Sequence, residues 1–124
     1  TGKEIGFHSH NNQQLAFANT IEAVVAGANR LDATLNGIGR GAGNCPTELL
    51  ISFLHNPKFR MRPVLECIRD VFVPLSKKME WGYSIPYAIT GHFNRHPSSA
   101  IKMRSGPTPD DYVSFYDQII EEES

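Results

Sequence analysis

The chain has 124 residues, with 12 Lys and Arg against 13 Asp and Glu, for a formal net charge of -1. This length supplies one domain's worth of core, the balanced charge argues against a general nucleic-acid binder, and 40% hydrophobic residues with 10% aromatics exclude a disordered chain. Cys45 and Cys67 are too few for a disulfide scaffold and fit no zinc spacing. No apolar stretch approaches the roughly 20 residues of a membrane helix, and Thr1 to Gly6 hold no signal-like apolar run. A reduced, cytoplasmic protein without a membrane partner is expected. The chain opens on Thr rather than Met and reaches the apolar Ile5 to Phe7 almost at once, as a piece of a longer polypeptide does.

In chain order, a first strand reads from Glu4 to His8, followed by a polar cluster, Ser9 to Gln14. A helix follows from Gln13 to Ala28, with Leu15, Ala18, Ile21, Val25 and Ala28 as its apolar stripe. Gly27 and Asn29 stop it. A second strand, Arg30 to Leu35, runs into a glycine-rich loop ending at Asn44, and Pro46 opens a helix to His55 with Glu48 near its positive end. Strand, helix, strand and helix at about 26 residues per unit suggest parallel strands and an eightfold β/α repeat. Two parallel strands alone leave open edges, so further strands are expected from elsewhere.

Beyond Asn56-Pro57 the pattern turns helical. Val64, Leu65, Ile68, Val71, Phe72 and Leu75 mark one side of a helix over Pro63 to Lys77. Shorter helices fit Ile85 to Asn94 and Pro97 to Met103. The last helix takes Thr108 as N-cap and Pro109 in its first turn, with Asp110 and Asp111 at the positive end. Its apolar face is Tyr112, Phe115, Ile119 and Ile120, and Glu121 to Glu123 are expected to fray against the dipole. The reading divides the chain into a barrel part, 1–56, and a helical part, 57–124.

His8-Ser9-His10 is the sharpest chemical feature. Residues i and i+2 of a strand share a side, so two imidazoles project together, about 6–7 Å apart at Cα. That spacing suits one divalent metal, and it equally suits two polar residues at a strand end. The loop Gly37 to Asn44 has glycines at 37, 39, 41 and 43, which permits either an anion cradle of backbone amides or a tight turn. It matches neither the dinucleotide fingerprint nor the P-loop. Asp32 and Thr34 alternate with apolar neighbours and read either as facing a barrel interior or as hydrogen-bonded polar core. Cys45 sits at a helix N-terminus, a position that lowers a thiol pKa, though a small buried residue fits there as well. His92 and His96 are four apart on a possible helix, which permits metal binding or a solvent face. Tyr83 and Tyr87 flank a Gly/Pro-containing segment.

Taken in order, Gly6-Phe7-His8-Ser9-His10-Asn11-Asn12, Ala18-Asn19, Gly27, Asp32-Ala33-Thr34, Gly37-Ile38-Gly39-Arg40-Gly41-Ala42-Gly43-Asn44 and Glu48 form one set. It resembles the metal-dependent pyruvate-type aldolases and acyl-lyases, among them 4-hydroxy-2-oxovalerate aldolase, hydroxymethylglutaryl-CoA lyase and isopropylmalate synthase. The match covers Glu4 to Leu54, and Gly82-Tyr83 to His96 extend it toward the hydroxy-oxovalerate aldolase branch. The resemblance implies an α/β fold: the C-terminal part of a (β/α)8 TIM barrel, about strands six and seven, followed by a helical region. It implies His8 and His10 as metal ligands, Asn44 as a further ligand or close neighbour of the metal, and Tyr87, rather than Tyr83, beside the substrate. The resemblance further implies a divalent metal, Mn²⁺ or Mg²⁺ before Co²⁺ or Zn²⁺, a small 2-oxo acid as substrate, and a second copy or a partner dehydrogenase as partner.

Departures from the family are also visible. The family's Asp ligand with its adjacent Arg, on the first strand, has no counterpart here. Arg40 and Gly41 stand where the synthases place an acidic residue, and Cys45 follows Asn44 where the lyases have a cysteine before it. The expected function is therefore that of a fragment of a divalent-metal aldolase cleaving a 4-hydroxy-2-oxo acid to pyruvate and an aldehyde, inactive alone. The alternatives are an acyl-CoA-condensing transferase or lyase on the same barrel, and a non-catalytic binding or assembly module.

Overall fold

The computed structural model describes residues 2–124. Its two strands, β1 (Gly6–Phe7) and β2 (Arg30–Leu31), pair in parallel with Gly6 opposite Arg30 and Phe7 opposite Leu31. Both are shorter than the sequence suggests. After Leu31 the backbone leaves the sheet to pair with the segment that follows the glycine loop: Thr34 N–H donates to the Cys45 carbonyl at 2.9 Å, and Thr47 N–H donates to Thr34 at 2.8 Å.

Helix α1 (Ala16–Val25) connects the strands, but it buries a different face from the apolar stripe. Ala16 and Thr20 face inward, while Leu15 is 50% and Val25 74% exposed. The reason is a polar anchor. The buried Ser9 hydroxyl donates to the Ala16 carbonyl at 2.9 Å and shares a 2.9 Å hydrogen bond with Thr20. Only small side chains let the helix come that close. Asn11 completes the entry by accepting the Ala16 N–H at 3.2 Å.

Helix α2 (Thr47–Leu54) follows Pro46 and ends on His55 in the left-handed region. Glu48 in its first turn accepts the Asn36 N–H at 3.0 Å, fastening the helix to the start of the glycine loop. The expected long helix is present as α3 (Met61–Cys67), a π turn (Ile68–Phe72) and α4 (Val73–Ser76). Pro74 explains the wide turn, because its ring excludes the carbonyl four residues back and it has no N–H to donate. The apolar side of this segment is only partly covered: Val64, Ile68, Phe72 and Leu75 are half-buried, with Phe72 against Trp81, while Leu65 and Val71 are both 52% exposed.

The remaining helices are α5 (Ile85–His92), α6 (Ser98–Arg104) and α7 (Tyr112–Glu123). The N-cap of α7 is Asp111, not Thr108, with its carboxylate accepting the Ser114 N–H at 3.1 Å. Helix α7 runs through its acidic end to Glu123. Arg95 pairs with Glu122 at 2.7 Å and reaches Glu123 at 3.7 Å.

Two apolar clusters form the core. One joins Ala16, Cys45 and Leu50, with Phe17, Ile21, Leu31 and Ala33 against them. The other joins Ala42, Tyr87, Ala100, Phe115 and Ile119, with Ile89 and Phe93 packed alongside. Ala42 and Cys45 lie three residues apart, so the glycine loop links the clusters. Two long-range hydrogen bonds tie it down: Gly82 N–H to the Gly41 carbonyl at 3.1 Å, and the Trp81 indole N–H to the Asn36 carbonyl at 3.0 Å.

Candidate metal centre

The two histidines lie just past the end of β1, with Ser9 buried between them and both imidazoles outward. Their ring centroids are 4.9 Å apart, edge to face. His8 Nδ1 lies 3.3 Å from Asp32 Oδ2. The strand register explains this pairing: with Phe7 opposite Leu31, the next step sets His8 beside Asp32. A carboxylate beside Nδ1 favours the Nδ1–H tautomer and leaves the Nε2 lone pair for a metal. Asp32 is thus a neighbour of the histidine pair, with its side chain exposed.

Asn44 joins the pair through the backbone. It forms an isolated antiparallel bridge with His10, and the Asn11 N–H donates to the Gly43 carbonyl at 3.0 Å. The Asn44 amide donates to the Ile38 carbonyl at 3.0 Å, which fixes the orientation of its oxygen. The glycines make this possible. A Cβ on Gly39 would lie 3.0 Å from Asn44 Cγ, and one on Gly43, at φ +81°, would strike the Gly37 carbonyl.

The structure therefore sets the His8 and His10 rings side by side and the Asn44 backbone beside that of His10. Among the described residues no three His, Cys, Asp or Glu side chains form a metal-holding group. Two imidazole nitrogens and an amide oxygen are donors that could hold a divalent cation only with further ligands from elsewhere.

Tyr87 reaches the loop from the other side. It is 5% exposed, and its ring lies against Gly41, where an added Cβ would come within 3.2 Å of Cε1. Burial pushes its phenol pKa up, with Arg104 opposing and Glu80 reinforcing that shift. The Arg104 guanidinium sits 5.8 Å from the ring centroid and pairs with Glu80 at 2.6 Å. Tyr83 stands in the segment before α5 and is exposed.

Two sequence candidates dissolve. Cys45 is fully buried, and its thiol pKa is raised by burial, with Glu48 adding to the rise and a Thr20 hydrogen bond opposing it. A buried neutral thiol is no nucleophile. His92 and His96 do not share a helix, because α5 ends at His92. The His92 ring packs 4.9 Å from Phe93, and His96 Nδ1 accepts the Ser98 N–H at 3.2 Å.

No helix among the described residues is long and apolar enough to cross a membrane. Comparison with known proteins converges on one group. The chain is 60% identical over 50 residues to an oxaloacetate decarboxylase of Mycobacterium tuberculosis, a stretch covering 40% of this chain and 15% of that protein. It is 44% identical over 75 residues to a 4-hydroxy-2-oxovalerate aldolase of Pelotomaculum thermopropionicum, covering 60% and 22%. A 4-hydroxy-2-oxovalerate aldolase of Dechloromonas aromatica matches at 36% identity over 100 residues, covering 81% and 25%. The chain thus spans a quarter or less of the length of these relatives. Among solved structures, the N-terminal domain of a candidate aldolase from Bacteroides vulgatus superposes with a TM-score of 0.73 at 35% identity, over 96% of this chain and 38% of that one. The model of the HMGL-like family matches residues 2–72, more than half of the chain and including His8, His10 and the glycine loop, so the chain belongs to the HMGL-like family.

Proposed function

We propose that the polypeptide carrying this chain is a divalent-metal aldolase that cleaves a 4-hydroxy-2-oxo acid to pyruvate and an aldehyde. The observation that supports this reading is the adjacency of the His8 and His10 rings, with Asp32 beside His8 and the Asn44 backbone bridged to His10. His8, His10 and Asn44 hold the metal, Mn²⁺ or Mg²⁺. When bound, the metal supplies the positive charge that stabilises the enolate left by carbon–carbon cleavage. Asp32 holds the proton on His8 Nδ1 and so keeps Nε2 directed outward. The glycine loop fixes the Asn44 amide. Tyr87, a phenol whose pKa burial raises further above its already alkaline ordinary value, keeps its proton at neutral pH and would offer it from the far side of the glycine loop.

In this proposal residues 1–56 are part of a TIM barrel and 57–124 the helical region behind the site. The carboxylate ligand and the base come from other parts of the polypeptide, so the isolated 124-residue chain is inactive. The compartment is the cytoplasm, and the helical region offers surface to a second copy or a partner dehydrogenase.

A second reading, oxaloacetate decarboxylation, is favoured by the 60% identity to the mycobacterial decarboxylase over 50 residues. Both reactions leave the enolate of pyruvate, so this site serves either. Pyruvate release from 4-hydroxy-2-oxopentanoate and from oxaloacetate, each with Mn²⁺ and with excess chelator, separates them. The aldolase reading expects metal-dependent cleavage of the hydroxy acid. Turnover of oxaloacetate alone establishes the second reading, and chelator-resistant turnover of both overturns the metal site.

A further inference from the structure

Residues 81 and 82 brace the glycine loop from the helical region. The Trp81 indole N–H donates to the Asn36 carbonyl at 3.0 Å, and the Gly82 N–H donates to the Gly41 carbonyl at 3.1 Å. The first of these bonds lies on a short path to Asn44. The Asn36 carbonyl shares its peptide plane with the Gly37 N–H, which donates to the Thr34 carbonyl at 3.1 Å, so that plane is held at both ends. The next two carbonyls, those of Gly37 and Ile38, accept the backbone N–H and the side-chain amide of Asn44, each at 3.0 Å. Asn44 in turn forms the backbone bridge to His10. The Trp81 ring is itself set by Phe72, which meets it edge to face at 6.5 Å between centroids.

We infer that Trp81 is a positioning residue of the candidate metal centre: its indole N–H holds residues 36–38, and these hold Asn44 beside His10. The inference rests on the metal-aldolase reading above and adds to it a residue from outside the histidine and glycine motifs. Asn36 is left-handed, at φ 55°, a conformation that persists where its surroundings hold it. Two groups do so, the Glu48 carboxylate at its N–H and the Trp81 indole at its carbonyl. Removing the indole N–H leaves a part-buried carbonyl without that partner, at the point where the loop starts. Contact with Phe72 needs only an aromatic ring. The indole nitrogen is what ties that ring to the loop.

The test uses the complete polypeptide and Trp81→Phe, which keeps a ring against Phe72 and removes the N–H. Without metal, amide exchange at Gly37 and Asn44 is expected to rise about three- to tenfold in W81F, with exchange in α1 unchanged. Mn²⁺ affinity is expected to fall by a similar factor. That fall should vanish when Asn44 is already Ala, because both residues act along one path. Unchanged exchange at Gly37 and Asn44 overturns the inference. So does a lowered melting temperature with unchanged Mn²⁺ affinity, or an equal loss of affinity in the Asn44→Ala background. The native protein gives a check that needs no folded variant. Its Trp81 indole proton, followed by NMR, should exchange more slowly with solvent as Mg²⁺ is added, and an indifferent indole proton overturns the inference. Failure of the underlying metal reading shows separately, as Mn²⁺ binding that His10→Ala does not weaken, and it overturns this inference as well.

Discussion

Asp32 Oδ2 stands 3.3 Å from Nδ1 of His8, joining the residue after β2 to the residue after β1. Both side chains are substantially exposed, so the pair adds less than about 1 kcal/mol to stability. Its effect belongs to the metal instead. Asp32→Asn is expected to weaken Mn²⁺ binding about 10- to 100-fold while leaving the thermal midpoint nearly unchanged. Calorimetric titration with Mn²⁺ and a melting curve on the same samples check both halves.

Gly39 and Gly43 are expected to fail in different ways. Gly39→Ala presses on the Asn44 side chain, a group with some freedom to move. The variant should fold and bind metal more weakly. Gly43→Ala meets a backbone carbonyl at a positive φ and has nowhere to go. It should lose about 1–3 kcal/mol of stability, read as a lower urea midpoint at unchanged slope.

Ile119 is 2% exposed in the cluster that holds Tyr87 and Ala42. Ile119→Ala should cost about 2–5 kcal/mol. Because Ala42 belongs to the same cluster, the glycine loop should loosen along with the helices. Faster amide exchange at Gly41 and Gly43 is the readout.

The chain carries two thiols with opposite expectations. Cys45 is buried with a raised pKa, whereas Cys67 is half-buried. A thiol reagent at neutral pH should label Cys67 first and Cys45 only on unfolding. A raised folded-state pKa means that the contribution of Cys45 to stability is complete below the ordinary thiol value and lost as pH rises through the folded one. Alkaline melts of Cys45→Ala should therefore show a flatter decline than those of the native chain.

At the acid end the sign reverses. Hydrogen bonds from Ser114 hold Asp111 below the ordinary carboxylate range, and Arg95 with Gln118 does the same for Glu122. Their contributions are present above the ordinary carboxylate pKa and disappear as pH falls through the lowered values. Circular dichroism of α7 should weaken first in that acid window. Arg95→Met should remove the Glu122 part of the effect.

The helix ends were largely legible because their signals are local. Pro46, Ile85 and Pro97 were read as starts and lie within a residue of those found. The buried face of α1 was not, because the apolar stripe through Leu15 and Val25 says nothing of the Ser9–Thr20 hydrogen bond that turns the helix. The cap of α7 was missed by three residues, since Thr108 and Asp111 are both good caps and only the geometry chooses. In the site, the histidines and the glycine loop were readable from type and spacing. Asp32 was not readable as their neighbour, because its role depends on strand register, which sets residue 8 beside residue 32.

The most direct test of the central claim is deuterium uptake into the methyl group of pyruvate, followed by proton NMR in heavy water. The complete polypeptide and its His10→Ala variant are compared, each with Mn²⁺ and with excess chelator. Forming the enolate is the chemistry that the histidine site is proposed to support, and the exchange needs no aldehyde. Uptake that requires Mn²⁺ and vanishes in H10A is the expected result. Uptake that survives either the chelator or the loss of His10 contradicts the account.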